Sequence, residues 1–424
     1  MNGKEFDMII FGATGYTGRQ ALRYLMRLPE SELGNLAVAG RDPVKIEALL
    51  ENATRDNKIK VVIANSSDHE SLVDMIARTR VLVNLAGPYS TYGDGCFTAC
   101  IDHETDYVDL SGESFWIREM IDAHHARAAA GKVKLISLCG YESVPFDIGT
   151  LMAVRALQER YDEPCREAEA VIRFSLDDPA IKRDRALSSG TLASARMTIA
   201  NGSPRSLKDP YFLDPILHSE ASLEATPGYR LDSYFDKNRG VWMAPMFPGH
   251  FLNPPVVHRS CALWAEHGRG YGANFNYRES VDVSGLAKNA MAQRLVAWVL
   301  SLLPRHMLKQ IEGKSALNAL LTKIMLRGAS HTGEGPREDL LDKFRYYIDI
   351  VARSASLKEV RVRVTGQGNP GYRSTANMVV EAGLALAHDA ARLPGLYGVV
   401  TPATGLGLAV IERLKRAGVT FEIG

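Results

Sequence analysis

The chain reads as an α/β protein: a doubly wound, mostly parallel sheet at the N-terminus, then a second mixed α/β domain. Three observations predict this. Short apolar runs alternate with helix-period segments through residue 150. A glycine-rich turn, FGATGYTG (Phe11–Gly18), joins the first apolar run to the first helical segment. The 424-residue length leaves room for two or three domains with sizeable cores.

Phe6–Phe11 is the first predicted strand, apolar and short. Gly12 turns the chain off its end, Gly15 removes a β-carbon that would hold a pyrophosphate away from the backbone, and Gly18 lets the next helix sit close to the sheet. That helix carries Ala21, Leu22, Leu25 and Met26 on one stripe. Its N-terminus offers unpaired N–H groups and a partial positive charge to phosphates. Strand, glycine turn and helix in this order predict a dinucleotide site. Thr14, Tyr16 and Thr17 join Gly12, Gly15 and Gly18 as its candidate contacts, although the spacing is GxxGxxG rather than GxGxxG.

The second strand, Leu36–Ala39, runs into Gly40-Arg41-Asp42. An NAD site places an acid there for the ribose 2′-hydroxyl. Here Gly40 leaves room, Arg41 supplies a guanidinium suited to a 2′-phosphate, and Lys45 follows one helical turn on, so the cofactor is predicted to be NADP. Asp42 is read as the cap of a helix beginning at Pro43. Further strands are predicted at Lys60–Ala64, Arg80–Ala86, Tyr107–Leu110 and Val133–Cys139, with helices between them such as Ser67–Ala77 and Phe115–Ala130. Asp68 caps its helix or bonds the adenine amine, with the cap favoured. Ala86 and Gly87 lie at a strand end on the side where such sheets bind ligands. Residues 1–155 are thus expected to form a Rossmann-like NADP-binding domain.

Residues 156–370 are expected to form a mixed α/β substrate and oligomerisation domain, and 371–424 C-terminal helices that pack back on the first domain. Between residues 201 and 260 lie eight of the chain's 19 prolines and eight aromatic residues, read as an ordered but irregular excursion lining a cleft or an oligomer interface. Ala290–Leu303, with Trp298, is an apolar helix too short to span a bilayer, read as core or subunit contact against an acyl- or lipid-binding surface. Phe344–Ala352 and Glu359–Thr365 alternate as a hairpin of an antiparallel sheet. Thr375–Ala387 and Gly405–Ala417 close the chain as helices, followed by a strand at Val419–Ile423.

Composition excludes several classes. Fifty basic against 49 acidic residues leave no electrostatic footprint for nucleic acid or an acidic membrane surface. Five scattered cysteines form neither a disulfide framework nor a zinc pattern, and adjacent His124 and His125 have no partner at ligand spacing, so no metal is expected. With no signal peptide or transmembrane stretch, a cytoplasmic enzyme, in one subunit or as a homodimer, is the expectation.

Hydride transfer needs the nicotinamide C4 held against an acceptor, together with a proton source. None of the 16 tyrosines is followed by lysine four residues on, which excludes the YxxxK chemistry of short-chain dehydrogenases. Tyr89 after the fourth strand, and Cys139 and Tyr141 after the sixth, are the candidate proton donors, with water as the alternative. Tyr92 and Asp109 are candidate substrate contacts.

Several blocks resemble the saccharopine dehydrogenase-like family, especially its trans-acting enoyl reductase subgroup. They are FGATGYTG with AGRD (Ala39–Asp42), VNLAGPYSTYGDGCFTACIDHETDYVDLSGE (Val83–Glu113), CGYESVPFDIG (Cys139–Gly149), SSGTLAS (Ser188–Ser194) and HRSCAL (His258–Leu263). GNPGYRSTANMVVEAGLALA (Gly368–Ala387) and TPATGLG with AGVTFEI complete the match from end to end. Asn369 departs from it, since relatives commonly carry an acid before Pro-Gly-Tyr. The resemblance implies an NADP-dependent oxidoreductase, a reductase of enoyl, carbonyl or imine groups on lipid- or polyketide-derived substrates. Topology places the acceptor between the Ala86–Tyr92 and Cys139–Ser143 loops, which follow strand ends on the cofactor side, covered by the second domain around Ser188–Thr191, with Ser189 and Thr191 as candidate substrate contacts. A non-catalytic NADP-binding scaffold or sensor is the competing expectation.

Overall fold

The computed structural model describes residues 3–51, 59–175, 198, 201, 206–207, 209–214, 231–312 and 335–424. Within them, the N-terminal half lays down β1 (Phe6–Phe11), α1 (Tyr16–Leu25), β2 (Leu36–Gly40), α2 (Pro43–Glu51), β3 (Lys60–Ile63), α3 (His69–Ala77), β4 (Thr79–Asn84), α4 (Tyr89–Asp102), β5 (Asp106–Asp109), α5 (Ser114–Ala130), β6 (Lys134–Ile136) and α6 (Val144–Tyr161). The strands are parallel, in the order β3-β2-β1-β4-β5-β6. The chain adds strands to one side of β1 and then returns to its other side at β4. The crevice outside the carboxyl ends of β1 and β4 is therefore the switch point where such sheets bind ligands. Ile9 and Leu82 face one hydrophobic layer while Met8, Ile10 and Val83 face another, as a parallel sheet covered on both sides requires.

The second sheet contains β7 (Cys165–Ser175), β8 (Tyr234–Asp236), β9 (Val241–Ala244), β10 (Asn276–Asp282), β11 (Arg345–Ser354), β12 (Glu359–Gln367) and β14 (Val419–Ile423), in the order β14-β12-β11-β7-β10-β9-β8. The β11–β12 hairpin follows the sequence reading, but the sheet is mixed, because β10 runs parallel to β7. α6 lies on one face of this sheet. A β-carbon on its Gly149 would stand 2.5 Å from Ile350 Cδ1, so a larger residue there would force the isoleucine to shift.

The C-terminal residues serve both sheets. α9 (Thr375–His388) packs across β1 and β4, where a β-carbon on Gly383 would meet Met8 and Val83 at 2.6 Å. β13 (Gly398–Val400) then adds an edge strand to the first sheet beside β6. α10 (Pro402–Gly405) and α11 (Ile411–Arg416) lead into β14, the edge of the second sheet. The continuous helix expected over Gly405–Ala417 is interrupted by a 3₁₀ turn at Gly407–Val410, opened by Gly407 at φ 62°.

Two expectations are corrected. Pro254 and Pro255 lie inside α7 (Gly249–Glu266), where irregular chain was expected. Every residue from Gly249 to Ser260 is buried, and that burial outweighs the backbone hydrogen bonds two prolines forgo. In α8 (Ala290–Glu312), Met291, Leu295, Trp298, Val299 and Leu302 are exposed, so this stripe is not core.

Candidate functional site

The turn after β1 has the properties that a pyrophosphate requires. Gly12 has φ 86°, and a β-carbon there would lie 2.8 Å from Leu85 C. A β-carbon on Gly18 would lie 2.4 Å from Gly12 O, so both positions are closed to larger residues. Gly15 differs: its β-carbon would meet only Gly12 O, at 3.3 Å. Folding does not demand a glycine there, but approach of a ligand to the backbone does. Gly15 is also the N-cap of α1 and gives no side-chain cap, and no acid sits in the first turn, so first-turn amides are left for an anion. Thr14 and Thr17 stand half-exposed at this rim. Tyr16 turns away: its hydroxyl donates to Pro336 O at 2.5 Å, and its ring packs edge-on to Tyr372 at 5.1 Å. What it can offer a nucleotide is its backbone.

At the end of β2, a β-carbon on Gly40 would make only ordinary contact with Ile46, at 3.4 Å, so the position is open rather than sterically closed. Arg41 is exposed, and among the described residues no hydrogen bond or ion pair holds its guanidinium. Asp42 accepts from the Lys45 amide at 3.2 Å and pairs with the Lys45 ammonium at 3.2 Å. Those contacts hold its carboxyl below the usual range, the amide bond first. Asp42 thus caps α2 and occupies Lys45, leaving Arg41 as the uncommitted cation beside the ribose position. Asp68 caps α3, accepting from the Glu70 and Ser71 amides. The open glycine turn, the uncapped helix and the uncommitted guanidinium fit NADP, which would lie with its phosphates on α1 and its 2′-phosphate at Arg41.

The nicotinamide end falls toward the loops after β4, β5 and β6. β4 stops at Asn84, two residues short of the expected strand, because the Asn84 side chain accepts the Ala86 amide and turns the chain. Gly87 follows, and Tyr89 opens α4. The Tyr89 hydroxyl donates to Asn84 O at 3.1 Å and accepts from the Leu110 amide at 3.3 Å, joining two strand ends. Burial raises its pKa well above the ordinary phenol value. These two hydrogen bonds and a ring stacked on Trp116 hold Tyr89 in place. Tyr92 is 37% exposed, one turn along α4.

Asp109 is fully buried. It accepts from Tyr107 at 2.8 Å, Ser137 at 3.2 Å and the Ser111 amide at 2.9 Å. Burial pushes its carboxyl up to about 7, against those bonds. The Cys139 thiol is buried and donates to Ile136 O, and burial raises its pKa well above normal, so it is a protonated packing group. Tyr141 is different. Its ring is fixed edge-on by Tyr346 at 4.8 Å and Phe146 at 5.6 Å, its amide donates to Thr375, and its buried hydroxyl has no partner among the described residues. Ser189 and Thr191 lie outside the described residues.

Sequence reasoning missed two carboxyls. Glu113, fully buried, accepts the Tyr89 and Ser90 amides at 2.9 and 3.0 Å and so caps α4 beside the cofactor crevice. Nothing in its sequence context marks this. Glu279 stands on β10 between Tyr277 and Val281, two places from each, and all three are buried. That alternation was readable, since an acid on an otherwise apolar strand face is a signal. A separate cleft of about 540 Å³ is lined by Glu32, Asp389, Arg392, Glu412, Arg413 and Arg416. It contains none of the predicted site residues.

Comparison with known proteins identifies the family and the fold. Residues 8–136 match the family model described as the saccharopine dehydrogenase NADP binding domain. A trans-acting enoyl reductase of Mycobacterium leprae (strain TN) is 31% identical over 443 residues, 99% of this chain and 97% of its own. A Mycobacterium tuberculosis (strain ATCC 25618 / H37Rv) protein of the same name is 30% identical over 437 residues, with the same coverage. Another from that strain, given the name provisionally, is 31% identical over 445. The apo saccharopine dehydrogenase (L-Glu forming) of Saccharomyces cerevisiae superposes with a TM-score of 0.51 over 98% of this chain and 99% of its own, and at 14% identity it shows the fold alone. The chain belongs to the trans-acting enoyl reductase family, NADP-dependent oxidoreductases built on the saccharopine dehydrogenase-like fold.

Proposed function

We propose that the chain reduces the carbon–carbon double bond of an α,β-unsaturated acyl group of lipid or polyketide origin, taking hydride from NADPH. The reading rests on one observation: near the Cys139–Ser143 loop, the Tyr141 hydroxyl and one oxygen of the Glu279 carboxyl are buried with no partner among the described residues, where a packed scaffold would have satisfied them. The names of the full-length relatives favour the enoyl group over a carbonyl or an imine. NADPH supplies the hydride; the protein holds the pyrophosphate at Gly12–Gly18, the 2′-phosphate at Arg41, and the acyl group between the Ala86–Tyr92 and Cys139–Ser143 loops under the second sheet.

The direct test mixes the protein with NADPH and the trans-2-octenoyl thioester of N-acetylcysteamine, following loss of the reduced-nicotinamide absorbance. Stoichiometric formation of the saturated thioester is expected. Tight NADPH binding with no oxidation by enoyl, keto or imine substrates would replace the enzyme with the scaffold. The exposed stripe on α8 supports a homodimer, checked by sedimentation of Trp298→Glu, which should be monomeric. Among the described residues no helix is long and apolar enough to cross a membrane, which fits the proposed cytoplasmic location.

A further inference from the structure

Where the second sheet meets the Cys139–Ser143 loop, Glu279 Oε2 accepts from Asn253 Nδ2 at 2.9 Å and from the Tyr277 hydroxyl at 3.0 Å. Its other oxygen, Oε1, is buried and has no partner among the described residues. Gly249 lets α7 pack close to this acid, since a β-carbon there would lie 3.0 Å from Oε1 and 2.9 Å from Asn253 Nδ2. Tyr141 is near enough for a charge on Glu279 to raise the tyrosine's pKa. The Tyr141 hydroxyl and Glu279 Oε1 are thus two buried polar atoms without partners among the described residues, and Asn253 Oδ1 beside Glu279 is a third. An unpaired buried polar group costs roughly 1–3 kcal/mol, so these together indicate a ligand.

Burial sets the chemistry of the pair. Glu279 is pushed up to about 8, by burial first and by the neighbouring Glu142 carboxyl, against the lowering effect of Asn253 and Tyr277. The Tyr141 hydroxyl is raised well above normal, by burial and then by Tyr346, Glu142 and Glu279. At neutral pH both are hydrogen-bond donors. A neutral carboxylic acid beside a tyrosine is the donor pair that stabilises an enolate in ketosteroid isomerase.

We propose that Tyr141 and Glu279 form the binding site for the substrate's carbonyl oxygen and stabilise the enolate that hydride addition produces. The inference rests on the enoyl-reductase reading above. Hydride adds to the β-carbon, the C=C electron pair moves between the α-carbon and the carbonyl carbon, and the C=O pair moves onto oxygen. The Tyr141 O–H and the Glu279 carboxyl O–H donate to that oxygen and keep their protons. A proton from water then adds to the α-carbon, C=O re-forms, and saturated thioester and NADP⁺ leave. Asn253 and Tyr277 position the acid by holding Oε2, which leaves Oε1 to face the substrate.

The test uses the whole protein, NADPH and the octenoyl thioester probe. Tyr141→Phe should lower kcat roughly 10²- to 10³-fold, the usual loss for one oxyanion donor, with NADPH affinity unchanged. Glu279→Gln keeps the shape and an N–H donor. It should retain activity within a few fold but lose the wild-type decline in kcat as pH rises through about 8. A folded Tyr141→Phe protein within threefold of wild type, or a Glu279→Gln protein with the same basic limb, overturns the site while the enzyme reading stands. If wild type turns over no probe, calorimetry with the saturated octanoyl thioester decides separately. Binding weakened at least tenfold by Tyr141→Phe supports the carbonyl site without the reaction, and unchanged or absent binding overturns it.

Discussion

Replacing Arg41 with alanine isolates the group on which the cofactor assignment turns. The structure makes the substitution clean: Arg41 is exposed, spans no ion pair among the described residues and follows a glycine, so its removal leaves no partner stranded. Its neighbours do not replace it. Asp42 is the α2 cap and Lys45 is paired with that cap at 3.2 Å, so drawing the lysine to a phosphate would break an existing contact. A charge-assisted hydrogen bond contributes ~1.5–3 kcal/mol net, which corresponds to a roughly 10- to 150-fold weaker NADPH complex, with solvent at an exposed site favouring the lower end. Added salt should shrink the difference, because exposed charges are screened over about 8–10 Å near physiological ionic strength. NADH, with no 2′-phosphate, should bind the variant as it binds wild type. Calorimetry with both cofactors at two salt concentrations reads each quantity. Equal weakening of NADPH and NADH would refute the reasoning and make Arg41 structural.

Three further outcomes follow from the same geometry. Gly15→Val should fold, since only Gly12 O lies near its β-carbon, and should lose NADPH binding because the side chain fills the pyrophosphate path; unchanged affinity by calorimetry would remove the site from this turn. Tyr89→Phe leaves Asn84 O and the Leu110 amide without their bridge, so thermal unfolding should show a loss of about 1–3 kcal/mol with kcat within a few fold; a large fall in kcat at intact stability would instead make it the proton donor. The Asp147 carboxyl, pushed up to about 7 by burial, holds its proton in the folded chain at pH values where the unfolded chain has released it. The folded state then binds more protons, so this group's contribution to stability falls as pH rises from about 4 to 7. Asp147→Asn should flatten that part of the stability–pH curve, and an unchanged slope would assign it to other groups.

The first sheet was legible because its signals are local. A strand, a glycine turn and an amphipathic helix are each written within a dozen residues, and the Gly40-Arg41 pair sits where β2 ends. Strand ends were overrun where side chains intervene: nothing local shows that Asn84 accepts the Ala86 amide and stops β4. Likewise, a proline pair reads as a helix breaker until the burial around it is known, and Pro254 and Pro255 lie in a helix whose neighbours are buried through Ser260. The proposed acceptor site was least legible, because its parts are far apart in sequence. Asp147, from CGYESVPFDIG, accepts from Ser260 of HRSCAL at 2.6 Å and from the Ala403 amide of TPATGLG at 2.7 Å. Three blocks that looked like separate signatures are one buried junction tying α6, α7 and α10 together. That junction sets where α6 begins, and the residues just before it, Cys139–Ser143, carry Tyr141. The Cys139–Gly149 block is therefore tied to two others more than a hundred residues away, and Glu279 reaches the neighbourhood of Tyr141 from the second sheet.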